Sequence, residues 1–286
     1  MEILITLKIA MRTLLRNKMR TFLTTLGIII GVASVIVMLS VISGARDSIL
    51  KQIELLGNNL LIIFAERTGW GAVTTMKASD AKAIMDDCPH VQYASPLISR
   101  SVRAIYKNRN WSTSVSGTNE HIRHILALEV EKGNFFEKNE VLSSTKVCVI
   151  GQVVADNIFN PDEDPIGRTI RVNRIPFKVI GLLKAKGTSG GSTDQDDVIY
   201  IPYTTVMQRI YKKDYISSIV ASSYSQGDLH MAQDEISTLL RQRHRLKSGD
   251  VDDFRINTQD EIKKMFDDLS RTISLLLGAV ASVSLL

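Results

Sequence analysis

The sequence of 286 residues contains little cysteine, and this excludes one common way of stabilising an exported protein. The two cysteines, Cys88 and Cys148, are too few to form a disulfide framework. Cys148 lies in the apolar run KVCVIG, which indicates a small residue of a hydrophobic core. A bridge between Cys88 and Cys148 stays open as an alternative outside the cytoplasm, because the sequence does not test its geometry.

Motifs for nucleotide binding and catalysis are also missing from the sequence. It contains no G-x-x-x-x-G-K-[ST] motif, and the order of glycine and lysine in GLLKAKGTSGG does not suit a phosphate-binding loop. It contains no G-x-S-x-G motif for a serine nucleophile. We therefore predict no catalytic residue and no cofactor, and we expect any ATP to be bound by another chain or segment.

Two groups of polar residues could in principle bind a metal ion, but their spacing favours simpler interpretations. His121 and His124 share a face of a predicted helix, yet no further Cys or His pair lies near them in the sequence. Asp194, Asp196 and Asp197 lack the periodicity and the following Glu of an EF-hand loop. We expect a solvated polar face and an acidic loop end, and we predict no metal site.

The basic charge of the chain is confined to its start, which argues against nucleic-acid binding. The net charge is +5, and the first twenty residues contribute +4 of it, from five basic residues against Glu2. The remainder is nearly neutral, so no basic face is left for a phosphate backbone.

A long uncharged segment follows this basic start. No charge occurs from Thr21 to Ala45, and a helix of about 25 residues is ~37 Å long, enough to cross a membrane. A cleaved signal peptide usually has a shorter apolar part, so we predict a retained transmembrane helix over 20–45. The preceding basic residues place the N-terminus in the cytoplasm and the chain after about 45 outside.

Residues 1–19 are predicted to form an amphipathic helix in the cytoplasmic interface. Lys8, Arg12 and Arg16 make a basic stripe at four-residue spacing, and apolar residues occupy another face. Within the predicted span, Gly27, Gly31 and Ser34 form a stripe of small residues that would let a second helix approach closely. Scattered glycines in a lipid-facing helix are the alternative explanation of this stripe.

The end of the chain resembles the start of a second span. The last charge is Arg271, and an uncharged run follows it to Leu286. Thr258 and Glu261 form a capping-box pattern, which predicts a helix from about Gln259. We interpret 269–286 as the beginning of a return helix that is cut short.

The segment between the two apolar runs is predicted to be an α+β extracytoplasmic domain over 46–268, flanked by transmembrane helices. Strand-like runs alternate with amphipathic helices, and turn-rich KNRN and NRIP join pairs of strands into hairpins. Several hairpins argue against a doubly wound parallel sheet. Two subdomains are expected, one of them inserted at about 118–212.

In their order and separation, several segments resemble the MacB-type permeases of ABC transporters and their extracytoplasmic core domain. They cover nearly the whole chain and read LTTLGIIIGVASVIVM, GARDSILKQIELLGNNLLII, VCVIGQVVADNIF, DPIGRTIRVNRIPFKVIGLL and DDVIYIPYTT. One departure is KGNFF, where Asn134 stands in place of an expected arginine, which puts one local contact in doubt.

The resemblance implies a four-span permease of a bacterial inner (plasma) membrane that works as a homodimer with a cytoplasmic ABC ATPase. Because Met1 lies just before the interfacial helix, we expect the ATPase on a separate subunit and the chain itself not to be an enzyme. The family passes ATP-driven motion to the outer domain, which expels macrolide-, peptide- or toxin-like cargo with a membrane-fusion (adaptor) protein.

Other functions remain open on the sequence. A permease for lipoprotein release or for control of cell division would share the same topology. A membrane-anchored sensor ectodomain is a second class, and such a chain would continue into a signalling region instead of further spans. A membrane-anchored hydrolase is disfavoured because no convergent catalytic residues are recognisable.

Overall fold

A computed structural model describes residues 17–55, 59–66, 76–161, 163–186 and 196–285 of the chain. The chain divides into two compact units, one of Met1–Ile49 with Lys263–Leu286 and the other of Leu50–Ile262. The predicted interfacial helix, with Lys8, Arg12 and Arg16, lies outside the described residues.

The first unit contains most of two long helices, α1 over Lys18–Leu55 and α8 over Gln259–Leu285. Among the described residues, only Lys18–Gly44 is long and apolar enough to cross a membrane. The hydroxyl groups of Ser34 and Ser40 donate to carbonyls four residues earlier, at 2.7 and 2.9 Å. An apolar helix thereby satisfies its few polar side chains internally.

The second unit begins with an antiparallel sheet in the order β10–β1–β9–β2. Its strands are β1 Leu60–Ala65, β2 Val91–Tyr106, β9 Ser218–Ser223 and β10 Phe254–Thr258. Helices α2, Ala78–Asp87, and α7, Leu229–Arg243, contribute buried apolar residues to the core. The apolar spacing of both segments predicted these helices.

The remaining strands close into a ring. The second half of β2 pairs with β3, β3 pairs with β8, and β8 pairs with β5. Strand β5 then pairs with β7, β7 with β6, and β6 back with β2. The strand bounds are β3 Arg109–Thr118, β5 Val147–Ile150, β6 Thr169–Val172, β7 Ile175–Leu183 and β8 Val198–Pro202. A further strand, β4 Val130–Gly133, pairs with the end of β7. Closure leaves few strand edges open to other chains.

Both predicted hairpins are present, and residues in both turns adopt a positive φ. Lys107 takes a positive φ of 49° between β2 and β3, and Asn173 and Arg174 take φ of 48° and 70° between β6 and β7. Two successive positive φ values fit the twist of a tight hairpin. The predicted α+β class is confirmed, whereas the inserted subdomain at about 118–212 stays a prediction.

Short helices connect these strands, namely α3 Ile122–Ile125, α4 Lys138–Leu142, α5 Gln152–Ile158 and α6 Tyr203–Thr205. Helix α6 continues as a π-helical turn over Val206–Tyr211. This turn packs so tightly on β3 that a Cβ on Gly117 would lie 2.9 Å from the Val206 side chain. A single turn, Gln226–Asp228, precedes α7.

One predicted helix start is wrong. The apolar spacing of SDAKAIMDDC predicts a helix with Ser79 as its N-cap, but the helix begins at Ala78. Instead, the Asp80 carboxylate accepts a hydrogen bond from the Lys77 amide at 2.7 Å, and Ser79 lies within the first turn. An acidic residue in the first turn satisfies a free amide there as well as a hydroxyl cap would.

Candidate functional site

The pairing of β1 with β10 brings together two chain connections that are far apart in sequence. Helix α1 ends at Leu55 shortly before β1, and α8 begins at Gln259 directly after β10. Leu61 pairs with Thr258, whereas Ala65 pairs with Phe254 at the other end of the strands. The connections to both long helices therefore leave the sheet at the same end.

Three side chains hold the start of α8 at this end of the sheet, and we call them the clasp: Gln233, Thr258 and Glu261. The Glu261 carboxylate accepts hydrogen bonds from the Thr258 amide at 3.0 Å and from Gln233 Nε2 at 3.1 Å. The Glu261 amide donates to Thr258 Oγ1 at 3.2 Å. The predicted capping box is confirmed, and its link to Gln233 joins it to α7.

At its other end, α7 reaches a group of charges in which three side chains are buried and Arg243 is exposed, and we call it the His244 cluster: Asp80, Arg243, His244 and Asp253. His244 Nδ1 lies 2.8 Å from Asp253 Oδ1, and His244 Nε2 lies 3.5 Å from Asp80 Oδ2. Arg243 Nε donates to Asp80 Oδ1 at 2.9 Å. The cluster joins α2, the end of α7 and the residue that precedes β10.

Two members of the cluster, His244 and Asp80, have shifted pKa values. Hydrogen bonds to the Asp80 and Asp253 carboxylates raise the pKa of His244 and outweigh burial, which lowers it. Burial raises the pKa of Asp80, but hydrogen bonds from His244, the Lys77 amide and Arg243 together lower it below its usual value. The arrangement therefore favours an imidazolium that donates from both ring nitrogens to ionised carboxylates.

Sequence reasoning missed this cluster. From the sequence alone, RQRHR indicates only the basic end of an amphipathic helix, where cations often interact with the helix dipole. Asp80 lies 163 residues from Arg243. No local pattern connects positions so far apart, so only the fold reveals the contact.

The two histidines considered as metal ligands have another role. His121 and His124 stack on the ring of Tyr93, with centroids 5.5 and 5.1 Å away. They line a cavity of about 450 Å³ with mixed charges, together with Phe135 and Asn134. In the described part of the chain no group of three His, Cys, Asp or Glu side chains is arranged to hold a metal ion.

Two of the three aspartates considered as calcium ligands, Asp196 and Asp197, accept hydrogen bonds from other protein groups. Asp196 accepts from the Lys186 amide at 3.0 Å, and Asp197 accepts from Trp111 Nε1 at 2.9 Å. Asp194 lies outside the described residues, as does GTSGGS, whose small residues predict a flexible loop. The contacts of Asp196 and Asp197 fit the acidic loop end expected from the sequence.

Both cysteines are free and buried, so the bridge between them is absent from the structure. Burial raises the pKa of the Cys88 thiol to about 12 and also raises the pKa of Cys148. Both thiols are therefore protonated and poorly reactive.

The predicted packing stripe lies on α1. A Cβ on Gly27 would meet no atom within 4 Å. On the same helix Ser34 is exposed and Gly31 is half-exposed. Open space on this face is what a stripe for close helix approach requires, but it is also what a lipid-facing helix shows. The role of Gly27, Gly31 and Ser34 stays a prediction.

Comparison with known proteins gives one family and several relatives. Residues 21–239 match the family described as the MacB-like periplasmic core domain. Macrolide export ATP-binding/permease proteins MacB are similar, from Chlorobium phaeobacteroides at 40% identity over 94% of this chain and from Wolinella succinogenes at 35% over all of it. The chain spans 42% and 44% of these relatives, so it corresponds to less than half of each.

Two solved structures share the fold. The periplasmic region of MacB from Actinobacillus actinomycetemcomitans superposes with a TM-score of 0.62 at 26% identity, covering 75% of this chain and 95% of that one. The extracellular domain of the noncanonic ABC-type transporter YknZ from Gram-positive bacteria gives a TM-score of 0.58, with 70% and 100% coverage. At 18% identity, the second likeness concerns the fold alone.

Proposed function

The chain belongs to the family of the MacB-like periplasmic core domain, and from this premise we propose that it is part of the permease of an ABC-type export system. In this proposal α1 crosses the inner (plasma) membrane with its N-terminus in the cytoplasm, and the unit Leu50–Ile262 lies outside. The permease is a multi-pass homodimer. Its motion comes from a cytoplasmic ABC ATPase, and the location of that ATPase on a separate subunit stays a prediction.

The observation that supports this function best is the common end at which both long helices connect to the sheet. The Leu61–Thr258 pair and the clasp join the two connections through backbone and side-chain hydrogen bonds. A relative shift of the two helices would therefore act on β1 and β10 together, and a paired sheet with packed helices moves as a body instead of deforming locally.

The cargo is proposed from the relatives and from the family resemblance. They are macrolide export proteins, so a macrolide is the first cargo to test, with peptides and toxins next. A membrane-fusion (adaptor) protein is the proposed partner of the outer domain. The structure offers no catalytic constellation among its described residues, and the permease is proposed to work by movement alone.

Transport by the full-length permease with its ATPase tests this proposal. In a macrolide-sensitive host, we expect co-expression of both to raise the erythromycin concentration needed to stop growth, and an ATPase unable to hydrolyse ATP to abolish the gain. Unchanged macrolide sensitivity together with accumulation of unreleased lipoproteins in a deletion strain would instead favour the lipoprotein-release function.

We predict that Gly27→Ile with Gly31→Ile lowers transport several-fold, because bulky side chains would prevent a second helix from approaching this face of α1. The measurement is macrolide efflux at matched protein levels. The control is Ala33→Ile, which adds a similar bulk to a different face of the helix. Transport that is unchanged in the double variant would reject the packing role of the stripe.

A further inference from the structure

A small exposed cluster of cations and aromatic rings lies between β2 and the segment before β9. We call Arg100, Tyr211, Lys213 and Tyr215 the cationic tyrosine patch. The Arg100 guanidinium lies 4.5 Å from the centroid of the Tyr211 ring. The Lys213 ammonium lies 5.5 Å from the Tyr211 centroid and 5.0 Å from that of Tyr215. Both cations thus lie at the Tyr211 ring, whose quadrupole attracts them, and Lys213 also meets the hydroxyl end of the Tyr215 ring.

The backbone supports this arrangement by an uncommon geometry. Tyr211 is the last residue of the π-helical turn, and Lys212 follows in the left-handed region at φ 52°. π-Helical turns of this kind are rare and occur frequently at functional sites. The reversal at Lys212 allows Lys213 to return toward Tyr211 and to donate a hydrogen bond to the Tyr215 hydroxyl at 2.6 Å.

No carboxylate in the described part of the chain neutralises the charge of the patch. Among the described residues, Arg100 and Lys213 form no ion pair with a carboxylate, and the groups acting on Lys213 are Tyr215, Tyr211 and Arg100. The Tyr215 hydroxyl holds the pKa of Lys213 above its usual value, so the ammonium stays charged. Arg209 and Lys212 add exposed positive charge on the same turn, against Asp214.

We propose that the cationic tyrosine patch is a docking surface for an acidic segment of a partner polypeptide. Arginine and tyrosine are the residues most enriched in the central contacts of protein interfaces. Because contacts with the rings already restrict both cations, they lose little side-chain freedom when they bind carboxylates. Such ion pairs therefore contribute more binding free energy than ion pairs between flexible surface side chains.

The position of the patch favours a polypeptide over a lipid surface. Ser218 pairs with Phe64 near the end of β1, and the Ser217 carbonyl accepts from the Ala65 amide at 3.1 Å. This is the strand end away from Leu61 and the helix connections. The argument against lipid rests on the proposed function, in which those helices lie in the membrane. The patch also lies at a helix C-terminus, where no free amides are available for a phosphate.

The test is binding of a short fluorescein-labelled peptide of alternating Glu and Ser to the full chain in a neutral detergent, followed by fluorescence anisotropy. We expect saturable binding that weakens about fivefold or more in Arg100→Ala with Lys213→Ala, because two charge contacts are lost. The control is Arg171→Ala with Lys178→Ala, which removes the same charge from exposed positions elsewhere. It should change the affinity less than twofold.

Several results would overturn the proposal. They are the absence of peptide binding, an equal loss in the two double variants, and displacement of the peptide by glycerol phosphate beyond the effect of chloride at the same ionic strength. The last result would assign the patch to a phosphate or a lipid headgroup. Tyr211→Phe should keep the affinity and Tyr211→Ala should lower it, because the ring positions both cations. Peptide binding needs no ATPase, so its outcome is independent of the transport assay.

Discussion

Replacement of His244 by alanine should lower the free energy of unfolding of the unit Leu50–Ile262 by about 3 kcal/mol. The change leaves Asp253 without its contact to the imidazolium and leaves Asp80 with only one of its two cationic partners. Removing one member of a buried ion group typically costs ~3–5 kcal/mol, since the remaining charges stay desolvated. Of the changes considered, this one should affect stability most.

The measurement is urea unfolding of the full chain in detergent, followed by tryptophan fluorescence. Trp111 lies on β3 in the unit Leu50–Ile262, so its signal reports on this unit. His230 is exposed, and His230→Ala should change stability by less than about 0.5 kcal/mol. Equal stability of the His244→Ala variant and the parent chain would show that the cluster contributes little.

The effect should depend on pH in a definite direction. The folded-state pKa of His244 is raised above 6.5, so its contribution is complete below pH 6.5 and is lost as the pH rises through the raised value. The folded-state pKa of Asp80 is lowered below 3.8, so its contribution is complete above pH 3.8 and is lost as the pH falls through the lowered value. The difference between parent and His244→Ala should be largest between these limits and should shrink at alkaline pH.

Replacement of Glu261 by alanine should uncouple transport from ATP hydrolysis. The variant loses the acceptor for both the Thr258 amide and Gln233 Nε2, two hydrogen bonds worth about 1 kcal/mol each. The start of α8 would then leave its position beside β10 in a larger share of molecules, and we expect transport to fall roughly tenfold. ATP hydrolysis by the reconstituted complex should remain within about twofold, because the proposed function places the clasp on the other side of the membrane from the ATPase.

The control for this prediction is Asp268→Ala, which removes the same charge from an exposed position of the same helix. Gln233→Ala removes one of the two hydrogen bonds and should give an intermediate loss. If Gln233→Ala and Glu261→Ala act through the same contact, the double variant should transport about as well as Glu261→Ala alone. Transport at the parent level in Glu261→Ala would exclude the clasp from the coupling route.

Several features could be read directly from local patterns. The apolar run from Thr21 predicted the helix that spans Lys18–Leu55, and the spacing of Thr258 and Glu261 predicted the start of α8. The hairpins followed from turn residues between runs of strand-forming residues. These predictions succeeded because helix periodicity, capping and turn geometry involve residues within a few positions of one another.

The sequence by itself determined the α+β class, the apolar helix that precedes the domain and the family resemblance. Only the tertiary structure decided that β6 closes a ring, that the two helix connections meet at one end of the β1–β10 pair, and that Asp80 and Asp253 both reach His244. The reason is physical. Strand order and the contact of Asp80 with His244 depend on segments that lie far apart in the chain, and a chain carries no local signal of which distant partner a strand or a charge will find.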